Sequence, residues 1–188
     1  MRKRMRQVSV GGVPIGGDSP VKIQSMTTTK TPDTEGTGAQ IGRLEEAGCE
    51  IVRVAVADEA DARAIAAVKG KIRIPLVADI HFSPRLAVLA VENGADKIRI
   101  NPGNIGGERE IAYVADCVRA HHIPVRVGAN TGSIEKEFLE KYGRSAEALV
   151  GSALYNVGIL ERHGVEDIVI SVKASDVPLT TKAYTLLS

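Results

Sequence analysis

Strand-like and helix-like runs alternate six times along this sequence, and that alternation leaves few folds open. The runs at 21–25, Ile51–Val56, Leu76–Ile80, Lys97–Ile100, 125–127 and 168–172 are short and rich in β-branched residues. Helical periodicity fills the gaps, as at 84–93 and Glu108–Ala120. Pro75 and Pro124 stand just before strands, where a missing N–H matters least. Gly48, Gly94 and Gly164 follow helical stretches, the place of a C-terminal cap. Such alternation is the mark of βαβ units and a parallel sheet.

The first segment differs. In 7–17, Val8 and Val10, then Gly11-Gly12, then Val13 and Ile15 predict a β-hairpin, placed to plug the bottom of a barrel. The longest connection, 130–164, predicts a short helix near 134–142. A longer helix follows, with Leu149, Val150, Ala153, Leu154, Val157 and Leu160 on one apolar face. The helix after the first strand carries Gly36, Gly38 and Gly42, each costing about 1 kcal/mol in a helix interior. It is expected to be frayed or to start late.

Side-chain parity decides between an open doubly wound sheet and a barrel. Residues two apart on a strand share a face. Lys97, Arg99 and Asn101 therefore oppose Ile98 and Ile100. Likewise Arg126, Gly128 and Asn130 oppose Val125 and Val127; Asp79 and His81 oppose Ala78 and Ile80; Ser171, Lys173 and Ser175 oppose Ile170 and Val172. Arg53 sits within the second run. A sheet covered on both faces reads as nearly continuous Val, Ile and Leu; this one has a polar face toward the strands' C-terminal ends, as a barrel with a site at its mouth requires. The fold class is thus α/β, a (β/α)8 TIM barrel. A complete one takes about 250 residues, so a single domain over 1–188 is expected to be an incomplete barrel of about six units, ending in a helix at 178–188.

The polar face is mostly cationic. Arg53, Lys97, Arg99, Arg126 and Lys173 meet one obvious carboxylate, Asp79, and buried unpaired cations are costly unless an anion answers them. Arginine's planar fork suits phosphate oxygens, and lysine adds a point charge. A phosphate- or diphosphate-bearing substrate follows; the alternative is an internal ion-pair network fed by acids from the helices. The glycine-rich loop 101–107 lets backbone N–H groups approach a ligand. Asp79 and His81 are too few to define a metal site and read better as partners of substrate hydroxyls. His121, His122 and His163 fall at helix C-termini on the bottom face, where a cation complements the helix dipole. Lys173, late in the sixth strand, also admits a Schiff-base aldolase, and a non-catalytic phosphate-binding module remains a further alternative.

The composition narrows the partners. Aromatic residues are 3% with no Trp, and the formal net charge is +1. This speaks against base stacking and against a global field for nucleic acid. The basic run at 1–6 has no apolar stretch behind it, and no run nears the ~20 residues of a membrane helix. Cys49 and Cys117 suggest neither a disulfide framework nor a metal motif. A cytoplasmic protein is expected, without nucleic-acid or membrane partners.

Several stretches resemble the 4-hydroxy-3-methylbut-2-enyl diphosphate synthase family: Val13-Pro14-Ile15-Gly16-Gly17, Gln24-Ser25-Met26-Thr27, residues 47–54, residues 75–82, residues 97–106 and residues 168–178. The resemblance runs in order over nearly the whole chain. It implies a TIM barrel that binds 2-C-methyl-D-erythritol 2,4-cyclodiphosphate. The implied reaction is a two-electron reductive ring opening with loss of water, in the non-mevalonate (MEP) route to isoprenoids. It also implies a second domain whose three cysteines and a glutamate hold a [4Fe–4S] cluster, a homodimer, and ferredoxin or flavodoxin as electron donor. By motif, Arg53, Arg99, Arg126, Asn130 and Lys173 should contact substrate, with Asn101 nearby and Asp79 and His81 lining the pocket. No cysteine follows Cys117, so the cluster ligands and the seventh and eighth strands are expected to be absent. The chain should then bind no cluster and should not turn over alone.

Overall fold

Two glycines set the first turn. Gly11 and Gly12 take φ of 52° and 88°, the left-handed pair that a two-residue hairpin turn needs. They join β1 (Val8–Val10) to the antiparallel β2 (Val13–Ile15). Val10 is fully buried against Ile51 and Val77, near the N-terminal ends of two wall strands. The hairpin therefore plugs the bottom of the wall. The computed structural model describes residues 5–188, so residues 1–4 of the basic run lie outside the described residues.

The wall consists of six parallel strands, each paired with its neighbour in sequence: β3 (Gln24–Met26), β4 (Ile51–Val56), β5 (Leu76–Ile80), β6 (Lys97–Ile100), β7 (Val125–Asn130) and β8 (Ile168–Lys173). The helices are α1 (Thr34–Glu46), α2 (Glu59–Lys69), α3 (Pro84–Glu92), α4 (Pro102–Ile105), α5 (Glu108–Ala120), α6 (Lys136–Tyr142), α7 (Ala146–Arg162) and α8 (Val177–Leu187). Val52, Val54, Ala78, Ile80, Ile98 and Val127 point away from the interior and pack with Ile65, Leu86 and Ile111 of the helices. This is a curled α/β half-barrel wall with one apolar face, as parity predicts. Gly48, Gly94 and Gly164 take φ of 92°, 92° and 76° just beyond their helices, where a side chain would be strained.

The boundaries differ in three places. The first wall strand is Gln24–Met26, not 21–25, because the Ile23 N–H donates to the Glu50 carboxylate (2.9 Å) instead of a strand. Val21 and Ile23 are left exposed. On β7 the ladder runs on past Val127, with Gly128, Ala129 and Asn130 paired to Ser171, Val172 and Lys173. In α7, Leu154 is exposed while Leu149, Val150, Ala153, Val157 and Leu160 are buried. Leu154 lies one residue, about 100°, further round the helix than Ala153.

Helix α1 is also complete rather than frayed. The Asp33 carboxylate accepts from the Gly36 N–H at 3.0 Å and caps it. Buried Thr37 donates to the Lys30 carbonyl at 3.1 Å, and Ile41 is fully buried. These contacts outweigh the propensity cost, and two of the glycines serve packing: a Cβ at Gly36 would meet the Asp33 carboxylate, and one at Gly38 would press on Lys71. Nothing lies within 4 Å of a Cβ at Gly42. Gly42→Ala should therefore raise stability by about 1 kcal/mol in denaturant unfolding, whereas Gly36→Ala should lower it.

Among the described residues β8 has no strand on its outer edge. Helix α8 covers part of that edge: the Val172 N–H donates to the Tyr184 hydroxyl (3.4 Å) and the Ala174 N–H to Thr180 Oγ1 (3.2 Å). The cover is partial, and an apolar groove of about 300 Å³ runs along Ile168, Ile170 and Leu187. Open edges of this kind invite pairing. The chain should self-associate on concentration, and a clean monomer by light scattering at high concentration would count against this.

Candidate anion-binding site

Strand register stacks the polar residues of the wall. Asp79 of β5 lies beside Arg99 of β6, which lies beside Arg126 of β7. Arg53 enters from β4. Toward the C-terminal end, Asn130 and Lys173 are register partners across β7 and β8. Arg53, Asp79, Arg99, Arg126, Asn130 and Lys173 surround one cavity of about 270 Å³, with Ser171 and Val172 completing its lining.

Asp79 organises this layer. Its Oδ1 accepts from Arg99 Nη1 at 3.0 Å, and its Oδ2 lies 3.7 Å from Arg53 Nε. Arg53 Nε also donates to Met26 Sδ at 3.2 Å. Arg99 stretches across β7 and donates through Nη2 to the Gly128 carbonyl at 3.2 Å. That path needs the glycine, since a Cβ there would come within 2.6 Å of Arg99 Nε. Arg126 Nε donates to Ser171 Oγ at 2.8 Å. Burial and the neighbouring guanidiniums of Arg53 and Arg99 hold Arg126 below the usual arginine range.

Four cations thus line the cavity against one carboxylate. Arg126 and Lys173 have no ion-pair partner among the described residues, and no helix acid enters the cavity lining. The internal ion-pair network weighed above is therefore limited to Asp79 with Arg53 and Arg99. Lys173 stands exposed at the rim, with Arg126 lining the same cavity.

Three sequence expectations are relocated. His81 follows β5 but does not line the cavity; its ring meets Phe82 edge-on at 6.0 Å. Asn101 is buried outside the cavity lining, and its Oδ1 accepts from Ser133 Oγ at 2.9 Å, tying the loop after β6 to the loop after β7. The short helix α4 occupies most of that glycine-rich loop. Lys97 shares the parity of Arg99 yet pairs in register with Val77, one layer below, and is 1% exposed. Burial first, then Arg126 and Arg53, push its pKa from the ordinary 10.5 down to about 8. Ser171 and Gly128 were legible as inward-facing residues, but hydroxyl and glycine carry no charge signal and so do not announce a site.

The bottom-face histidines are helix ends: His121 caps α5 and His163 caps α7. Cys49 is buried and donates to the Ile51 carbonyl (3.0 Å), while Cys117 lies on α5 beside His121. Among the described residues no three potential metal ligands come together. The residues present do not fit a [4Fe–4S] cluster. No helix among them is long and apolar enough to cross a membrane.

Residues 5–188 match the model of the GcpE TIM-barrel domain. The chain is 56% identical over 189 residues to a 4-hydroxy-3-methylbut-2-en-1-yl diphosphate synthase (flavodoxin) of Caldanaerobacter subterraneus, covering 100% of this chain and 53% of that protein. It is 53% identical over 191 residues to one of Desulfotalea psychrophila, covering 100% and 52%. It spans about half the length of the curated relatives it matches. Among solved structures, a truncated 3-deoxy-D-arabino-heptulosonate 7-phosphate synthase of Thermotoga maritima superposes with TM-score 0.68 at 15% identity, over 97% of this chain and 64% of that one. A Yersinia pestis dihydropteroate synthase gives 0.62 at 12%, over 96% and 68%. At these identities the structural likeness concerns the fold alone.

The Lys97 shift has a definite sign. Its folded pKa lies below the unfolded value, so the unfolded chain binds more protons between pH 8 and 10.5, and stability rises with pH across that window. Below pH 8 the full penalty of the buried ammonium applies. Lys97→Met should stabilise the chain at pH 7 by on the order of 2–3 kcal/mol. That gain should shrink as pH approaches 10.5, as followed by urea unfolding at several pH values in phosphate-free buffer.

Proposed function

Because the chain belongs to the GcpE TIM-barrel family, we propose that its cationic cavity holds 2-C-methyl-D-erythritol 2,4-cyclodiphosphate, the substrate of reductive ring opening to 4-hydroxy-3-methylbut-2-enyl diphosphate. One observation carries this reading: four cations converge on a cavity of about 270 Å³ with a single carboxylate among them. A diphosphate supplies the missing negative charge.

Each residue then has a task that its surroundings permit. Asp79 pins Arg53 and Arg99, so their remaining N–H groups are aimed before the ligand arrives, which lowers the cost of ordering on binding. Arg126, lacking a carboxylate, offers its guanidinium to phosphate oxygens. Lys173 at the rim adds a point charge, and the Asn130 amide suits a hydroxyl or phosphate oxygen. When the ring opens, the breaking bond leaves negative charge on a phosphate oxygen. Fixed cations facing that oxygen stabilise the transition state more than the ground state.

No reductive step is assigned to this chain's own residues. Flavodoxin or ferredoxin as electron source, a [4Fe–4S] cluster held outside residues 1–188, homodimeric assembly and a cytoplasmic location belong to this same proposal. They are supported by the family membership and, for flavodoxin, by the relatives' names. The 188-residue chain should bind the cyclic diphosphate one to one in calorimetry. Arg126→Met and Lys173→Met should each weaken binding about tenfold or more, the scale of a charge-assisted hydrogen bond. With reconstituted iron, sulfide and a chemical reductant it should show no turnover above a protein-free control. Absence of binding would refute the site, and turnover would refute the inactivity. Borohydride trapping of a carbonyl compound on Lys173 would favour the aldolase.

A further inference from the structure

A second cavity of about 250 Å³ lies lower in the wall, beneath the guanidinium layer and beside the hairpin. Lys97, Arg126, Gln24, Ile51 and Val169 contribute to its lining. Arg126 is shared with the cavity above, but Lys97 faces only the lower one.

Lys97 is the most deeply buried cation of the wall, at 1% exposure, yet its ammonium has no hydrogen-bond or ion-pair partner among the described residues. The charges around it deepen the imbalance. Arg53 from β4 and Arg126 from β7 are cations, and Arg99 stands above it on its own strand. Asp79 is committed to Arg53 and Arg99. Lys22 also lines the cavity but is matched by Glu50 at 2.8 Å. Ile51, Val169 and Ile15 form apolar walls, and a low-dielectric surrounding strengthens any charge contact made inside.

We propose that this lower cavity is a separate anion site, taking a small inorganic oxyanion between the Lys97 ammonium and the Arg126 guanidinium, with the Gln24 amide as a further donor. The site goes beyond the diphosphate reading and uses a different cavity. It gives the buried ammonium the counter-charge that the chain's own side chains do not provide. Arg126, facing both cavities, would be held from below while its other N–H groups remain for a ligand above.

Inorganic phosphate is the probe. Calorimetry and phosphorus NMR on the 188-residue chain should show a phosphate-binding event that Lys97→Gln weakens at least tenfold and Lys136→Gln, on the exposed face of α6, leaves unchanged. A second measurement uses the unaltered chain. Cyanate at pH 8 is small and reacts with neutral amines, and the Lys97 pKa of about 8 makes a large neutral fraction available. Phosphate should slow carbamoylation of Lys97 several-fold, read by peptide mass spectrometry, while exposed Lys136 reacts at the same rate. Unchanged phosphate affinity in Lys97→Gln overturns the proposal, as does equal reaction of Lys97 with and without phosphate. Loss of phosphate binding only on Lys173→Gln also overturns it, since the ion then sits in the upper cavity. Failure of the diphosphate reading would instead show as intact lower-site binding with no affinity for the cyclic diphosphate.

Discussion

Asp79 is the carboxylate around which the cationic wall is built. It binds Arg99 directly and attracts Arg53 from the neighbouring strand, while Arg126, Lys97 and Lys173 receive no such partner among the described residues. Like charges held this close in a partly desolvated interior repel strongly, and a pair of ions is favourable there only when geometry and hydrogen bonds are good. The arrangement is therefore not one that stability alone favours. It leaves the wall with cations that its own side chains do not neutralise, and the parallel strands hold that charge in place.

Much of this was readable from alternation along the strands. Parity placed Arg53, Asp79, Arg99, Arg126, Asn130 and Lys173 on one side, and the structure gathers these six around one cavity. Parity gives the face but not the height, and height separates Lys97 from Arg99: strand register sets Lys97 beside Val77 and Arg99 beside Asp79. Nor does it reveal where a strand stops. His81 and Asn101 share the inward parity but lie beyond their strands' ends, where loop geometry takes over, so one turns to Phe82 and the other to Ser133. Helix α1 shows the opposite limit. Propensity argued against it, but the Asp33 cap and the burial of Thr37 and Ile41 decide the matter, as tertiary contacts do when they oppose a weak local preference.

The hairpin and the last helix bound the wall at two different places. Val10 closes its bottom by packing on Ile51 and Val77, and Ile15 and Gly16 at the end of the hairpin line the cavity beside Lys97. Helix α8 supplies Tyr184 and Thr180 to backbone groups at the outer edge of β8, leaving an apolar groove beside them. The C-terminal mouth stays open between these features, with Lys173 at its rim. The cationic cavity lies toward that mouth, and the cavity beside Lys97 lies below it, the two sharing Arg126.

The central claim is that the interior carries more positive charge than the chain can neutralise. The most direct measurement is the thermal unfolding midpoint against inorganic diphosphate, compared with sodium chloride at matched ionic strength. Specific occupancy predicts a midpoint that keeps rising with the logarithm of diphosphate concentration, by about 5–10 °C at a hundredfold excess over the dissociation constant, and a much smaller effect of chloride. Equal responses to the two salts would mean that only surface screening is at work, and would contradict the account.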